Sequence, residues 1–198
     1  MPCTRLLISL TAVGFMLELA LGARFGIALA LWPLGHGFMP WQLLTYCLLH
    51  GSLSHLLFNL LGLWMFGRAL EAEFGPSLLL ATYLASVLSA GAAQLLFSSV
   101  SGSTFPTIGA SGGVFGLLLA FGISFPRRVV VLLIPPLPLP AWLAVALYAG
   151  VELLLGVTGW TPGVAHFAHL GGMLGGYLVV RRHATGKRKA GSSSGSVP

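Results

Sequence analysis

Six apolar segments, each near the ~20 residues that cross the hydrocarbon core of a bilayer, fill most of this chain and leave it few ways to fold. They run over Leu6 to Phe25, His50 to Phe66, Pro76 to Phe97, Ser111 to Phe125, Leu139 to Val157 and Val164 to Val180. A water-soluble domain carries roughly a quarter charged residues, whereas only 7% of these 198 residues are charged. In lipid every backbone polar group must find its partner within the protein, so each segment is predicted to be a helix. The expected fold is an all-α membrane protein, a polytopic bundle of six transmembrane helices, as one domain over residues 1–183. The first segment has no small-residue cleavage site and reads as a retained span. Residues 184–198 are polar, end in Gly-Ser repeats, and are expected to form a disordered cytosolic tail.

The segment from Ser111 is short for a span. Its N-terminus is therefore expected below the outer surface, fed by a re-entrant loop over Ser98 to Ala110, which lipid tolerates only when it is buried in protein or lines a wet cavity. Orientation follows from the basic residues. With the N-terminus inside, Arg5, Arg68, Arg127, Arg128, Arg181, Arg182, Lys187, Arg188 and Lys189 are cytosolic and Arg24 alone is outside. The prediction is a multi-pass protein of the cell inner (plasma) membrane with both termini cytosolic. The net charge of +6 is explained by this flanking pattern and not by nucleic-acid binding, since no basic patch interleaves with aromatics. The long first external loop, about Gly26 to Cys47, holds Trp32, Pro33, His36, Phe38, Pro40 and Trp41, a content suited to a half-inserted interfacial element. Cys3 and Cys47 fall on opposite sides of the bilayer on this topology and cannot pair.

Polar residues inside the spans are few, and they coincide in depth. Ser111 heads a helix followed by Gly112, Gly113 and Gly116; His169 is followed by Gly171, Gly172, Gly175 and Gly176. Glycines four apart let membrane helices approach backbone to backbone. Two helices packed that closely bring a serine hydroxyl to an imidazole, as activation of a nucleophilic serine requires. At about 1.5 Å per residue, Ser111 stands about 24 Å above Arg127 and His169 about 18 Å above Arg181, both in the outer half of the membrane. His55 and Asn59, on one face of the second span, lie about 20 and 14 Å from Arg68. Taken singly, each residue has a bland reading: serine as a packing residue, asparagine as helix glue, glycine as close packing. Together they describe a hydrolytic site buried in a membrane, with His55, Asn59 and the free Ser111 amide as oxyanion donors. Glu18 and Glu152 are also embedded, but spacing directs neither to His169, and the chain has no aspartate. A Ser111–His169 dyad is expected rather than a triad.

These residues resemble the rhomboid intramembrane serine proteases in their minimal six-helix prokaryotic form. The match is carried by Gly-x-Ser-Gly at Gly109 to Gly112, by His-x4-His-x3-Asn at His50, His55 and Asn59, and by Ala-His-x2-Gly-x3-Gly at Ala168, His169, Gly172 and Gly176. Glu71 and Gly75 look like the family's short cytosolic turn. The resemblance implies a serine endopeptidase without metal or cofactor, in which Ser111 is the nucleophile and His169 the general base. It implies an oxyanion hole of His55, Asn59 and the Ser111 amide, with His50, Gly109 and Gly112 in support and His50 bracing the first loop. The implied partners are the lipid bilayer and transmembrane protein substrates, cut in or near their membrane segments after local unwinding. Thr158 to Gly163, with Trp160 and Pro162, and the fifth span would be the lid and lateral gate. Where many members have Trp-Arg in the first loop this chain has Trp41-Gln42, a change that bears on how the loop is anchored. Two other readings are a proteolytically inactive helix binder, which the intact Ser, His, His and Asn disfavour, and a haem or metal protein ligated by His50, His55, His166 and His169, which leaves Gly-Ala-Ser-Gly unexplained.

Overall fold

The computed structural model describes residues 1–133, 136–161 and 163–193. The helices are α1 (Pro2–Leu21), α2 (Ala23–Leu29), α3 (Gln42–Thr45), α4 (Leu53–Gly62), α5 (Arg68–Phe74), α6 (Pro76–Ser101), α7 (Ser111–Ser124), α8 (Ala141–Thr158) and α9 (His166–Ser193). A widened π-helical turn, Leu63–Gly67, joins α4 to α5 without breaking the rod. Among the described residues, four helical stretches are long and apolar enough to cross a membrane: Pro2–Leu21, Leu53–Phe74, Pro76–Ser101 and Ala141–Thr158. Large apolar side chains on them, among them Leu10, Met16, Leu19, Trp142, Val151 and Leu154, are exposed. Water would penalise such a surface at about 25 cal/mol per Å²; lipid does not. The chain is a mostly helical membrane protein.

The bundle is built around α7, which packs with α6 and α9 while α9 also lies along α6. The contacts are close because the sequence supplies no side chain to hold them apart. A Cβ at Gly172 or Gly176 would collide with the backbone carbonyls of Gly112 and Gly116 on α7, and one at Gly171 or Gly175 with the backbone of α6. The expected glycine faces are thus real, and α9 uses them in two directions. Around this contact lie Leu31, Tyr46, Leu63, Leu79, Val87 and Leu117, all nearly inaccessible.

The N-terminus of α1 is closed by another helix. Pro2 occupies its first turn, where no N–H is needed. The Cys3 and Thr4 amides donate to the Glu71 carboxylate, each at 2.9 Å, and the Thr4 hydroxyl donates at 2.6 Å. Glu71 therefore satisfies donors that a helix end leaves unpaired. Gly75, at φ +85°, makes the turn into Pro76 and α6.

Three departures from the expected architecture stand out. First, two short segments pair as an antiparallel two-stranded sheet, β1 (Val129–Leu133) with β2 (Pro136–Pro140), pairing Val131 with Pro138, within an otherwise helical fold. Prolines at 136, 138 and 140 forbid helix there, and α8 starts only at Ala141. Second, α6 continues to Ser101, which leaves residues 102–110 as the connection to α7. Third, α9 runs to Ser193, through residues read as tail. Once nucleated, a helix propagates cheaply through Arg, Lys and Ala where no proline intervenes. The rest of the expected tail, 194–198, and Pro162 of the expected lid lie outside the described residues.

Candidate active site

Ser111 is the first residue of α7, and its depth is set by the connection that delivers it. Thr107 and Leu31 exchange backbone hydrogen bonds of 2.9 and 3.0 Å, tying that connection to the first loop. The Gly109 amide then donates to the Tyr46 carbonyl at 3.0 Å, and the Tyr46 hydroxyl to the Val87 carbonyl of α6 at 2.8 Å. From this anchored start, the Gly112–Gly172 and Gly116–Gly176 contacts bring α9 alongside. His169 Nε2 lies 2.8 Å from Ser111 Oγ. That is the spacing of a nucleophile and its base.

The imidazole of His169 is held on three sides. Phe115, one turn along α7, stacks on its face, with centroids 4.3 Å apart and planes 9° from parallel. Ser111 occupies the Nε2 side. On the other side Glu152 Oε2 of α8 lies 2.9 Å from Nδ1, although Nδ1 makes no aligned hydrogen bond; the contact is one of charge and proximity. The same oxygen is 2.6 Å from His166 Nδ1, and His166 Nε2 is 2.6 Å from Thr161 Oγ1. Sequence spacing assigned Glu152 nothing. The other embedded glutamate, Glu18, accepts the His50 amide at 2.9 Å.

Glu152, His166 and His169 are also a possible ligand trio, with donor atoms within 4.8 Å of one another. The oxygen–nitrogen separations of 2.6 and 2.9 Å are in the range of direct polar contacts between side chains. Ligands around tetrahedral zinc, at about 2.0–2.1 Å from the ion, stand about 3.3 Å apart. Among the described residues the four histidines do not form one ligand group; His50 meets His55, with ring centroids 4.9 Å apart, and His166 faces His169 at 6.3 Å.

His55 approaches the serine loop closely. Its ring packs over Gly109, where a Cβ would meet His55 Cε1 at 2.7 Å and Ser111 Oγ at 3.7 Å. Gly109 also has φ +121°, so glycine is required there twice over. Ser52 caps α4 by accepting the His55 amide at 3.1 Å. Asn59 is buried, and one of its amide hydrogens goes to the His55 carbonyl at 2.9 Å; a carboxamide carries a second N–H besides. His50, the expected supporting residue, receives the Ala110 amide on Nε2 at 3.4 Å, next to the serine.

Ser111, His169, His55 and Asn59 all line one cavity of about 890 Å³, with Phe115 and Tyr148 among its walls. That volume suits a chain segment or a drug-sized molecule. The first loop, beside it, is anchored by the residue that departs from the expected pattern. Gln42 is buried; its Oε1 accepts the Trp32 and Met39 amides at 3.2 and 3.0 Å, and its Nε2 donates to the Ala28 and Gly37 carbonyls at 3.5 and 3.4 Å. One neutral amide thus cross-braces the loop without a charge. Neither thiol competes for chemistry: Cys3 and Cys47 are free and buried, and burial pushes the Cys47 thiol up to about 11, leaving little thiolate at neutral pH.

A family model described as the Rhomboid domain matches residues 37–183. The chain is similar to Rhomboid protease GluP of Bacillus subtilis (strain 168), 31% identical over 153 residues that make up 77% of this chain and 27% of that protein. It is similar to Rhomboid protease GlpG of Yersinia pestis (strain Pestoides F), 31% identical over 183 residues, 90% of this chain and 61% of that one. Rhomboid protein 1, mitochondrial, of Saccharomyces cerevisiae is 30% identical over 131 residues, 65% of this chain and 38% of the relative. The chain thus spans about a quarter to three fifths of the length of these curated relatives.

Proposed function

The chain belongs to the rhomboid family, and from that premise we propose that it is an intramembrane serine endopeptidase acting on transmembrane segments of other membrane proteins. The observation that carries this reading is the 2.8 Å contact between Ser111 Oγ and His169 Nε2 inside a cavity bounded by apolar helices. In the proposed reaction His169 Nε2 takes the Ser111 proton as Oγ attacks the scissile carbonyl carbon. The C–O bond forms and the carbonyl electrons move onto oxygen. That oxyanion is met by the Ser111 amide, His55 and the uncommitted Asn59 N–H, donors of the kind that stabilise such a charge by about 3–4 kcal/mol each. The intermediate collapses, the C–N bond breaks, and the leaving amine takes the proton from His169. Water, deprotonated by the same imidazole, then releases the acyl half and restores the serine.

A helical substrate hides its carbonyls in its own hydrogen bonds, so it must unwind before attack. Small or helix-breaking residues near the cleaved bond favour this. The topology that goes with the reading has α7 and α9 as further spans, giving six, residues 102–110 as a re-entrant connection, and both termini on the cytosolic side of the plasma membrane, where nine of the ten basic residues then lie. Access is by α8 and the Thr158–Gly163 loop as gate and lid.

Purified protein in detergent, given a fluorogenic transmembrane-segment substrate, tests the reading. Ser111→Ala and His169→Ala are each expected to abolish cleavage, with Ser111→Ala remaining folded by thermal unfolding. Cleavage by folded Ser111→Ala at the wild-type rate refutes the assignment.

A further inference from the structure

We propose that Glu152 is a positioning residue for the reaction, holding His169 in the tautomer and orientation in which Nε2 receives the Ser111 proton, and that His166 and Thr161 in turn hold Glu152. The inference rests on the Ser111–His169 assignment made above and adds a third group that the chain's spacing does not reveal.

The argument is one of proton accounting. For Nε2 of His169 to accept from Ser111, the ring's proton must sit on Nδ1. A carboxylate is an acceptor only, and Glu152 Oε2 stands 2.9 Å from that nitrogen. His166 presents its own Nδ1 to the same oxygen at 2.6 Å, while its Nε2 faces the Thr161 hydroxyl at 2.6 Å. One assignment satisfies the whole row: Thr161 donates to His166 Nε2, both histidines carry Nδ1–H, and Ser111 donates to His169 Nε2. Both Nδ1–H groups then have the same anionic oxygen as their nearest acceptor, at 2.6 Å from His166 and 2.9 Å from His169. An acceptor-only group at position 152 fixes both tautomers together; an amide, free to turn its NH₂ toward the rings, fixes neither.

The surroundings make the placement count. Glu152, His166 and His169 are all buried, so Glu152 is the acceptor already in place beside both rings. Phe115 stacked on His169 restrains the ring from swinging away. When Nε2 takes the serine proton, the ring becomes a cation with the carboxylate already beside it, and the cost of creating that charge in an apolar cavity falls. The Nδ1–H is not aligned on Oε2 in this state. A small turn of α8 or of the ring is enough to complete the bond, and alignment of catalytic hydrogen bonds on substrate binding is common.

The test is Glu152→Gln, which keeps the shape and removes the obligate acceptor. We expect kcat, per active site titrated with a fluorophosphonate probe, to fall about 10²- to 10⁴-fold, by comparison with the loss of the third member of a soluble triad. KM should stay within about twofold, and the second-order rate of probe labelling should fall with kcat. A merely structural staple between α8 and α9 predicts the opposite: a lower Tm with kcat per titrated site unchanged, and that result overturns the proposal. Should the glutamine variant not fold, Glu152→Asp carries the test. Its carboxylate is retracted by one methylene, so a loss of kcat about 10- to 100-fold with KM kept supports the role, and wild-type kcat overturns it. Ser111→Ala run beside them separates the two levels. Active Ser111→Ala removes the underlying assignment, whereas inactive Ser111→Ala with fully active Glu152→Gln removes only the role of Glu152.

Discussion

Gly172→Ala tests the link between helix packing and chemistry most directly. Built on the native backbone, an alanine methyl at 172 meets the Gly112 carbonyl carbon at 2.7 Å and its Cα at 3.1 Å, and the carbonyl oxygen closer still. All three atoms are backbone, so no side chain can rotate away. Restoring an ordinary carbon–carbon contact of about 3.7 Å requires α7 and α9 to separate by about 1 Å. Gly112 is the neighbour of Ser111, so the 2.8 Å Ser111–His169 contact opens toward 3.8 Å, outside hydrogen-bond range. Overpacking of this kind costs about 1–3 kcal/mol of stability, while a 1 Å misplacement of reacting groups costs about 10²-fold in rate. The measurements are thermal unfolding and turnover per probe-titrated site. Gly175→Ala is the control: its methyl meets Ala85 C and Ser86 Cα of α6 at 2.8 Å, so it should lose similar stability but less turnover. Gly150→Ala meets nothing within 4 Å and should change neither. If Gly172→Ala turns over like the wild type, or loses no more activity than Gly175→Ala, the claim that the Gly112–Gly172 contact sets the catalytic distance is wrong.

Two further expectations concern other contacts. His55→Ala and Asn59→Ala should each lower kcat more than they change KM, by about 10²- to 10³-fold for a fully engaged donor and less for Asn59, half of whose amide is already committed to the His55 carbonyl; near-normal turnover with a lowered Tm would assign both to structure alone. Glu71→Ala should lower stability by about 1–3 kcal/mol by leaving buried donors at the start of α1 unpaired, and Glu71→Gln should not rescue it, because both carboxylate oxygens accept backbone N–H groups. A glutamine variant melting at the wild-type temperature would show that the carboxylate is dispensable.

The amino-acid sequence by itself determined the helical class of the fold and pointed to much of the candidate site. Lipid removes water as a hydrogen-bond partner, so apolar runs had to be helices, and glycines four apart had to mark where helices touch. Ser111 and His169 were legible because each heads such a glycine face, and the contact between Gly112 and Gly172 follows from the same pattern. What it could not determine was the rotation, about its own axis, of a helix that carries no such glycine face. Glu152 lies on α8, between Val151 and Leu153, and nothing in its spacing distinguishes a residue facing His169 from one facing lipid. Only the packing of α8 against α9 turned it inward, onto two histidines at once. Gln42 is similar: its amide finds four backbone partners only after the loop over residues 28–42 has closed around it. The strand pair Val129–Leu133 and Pro136–Pro140 and the continuation of α9 to Ser193 were missed for a different reason. Neither segment is an apolar run long enough to span a bilayer, so the constraint that made the spans readable does not apply to it.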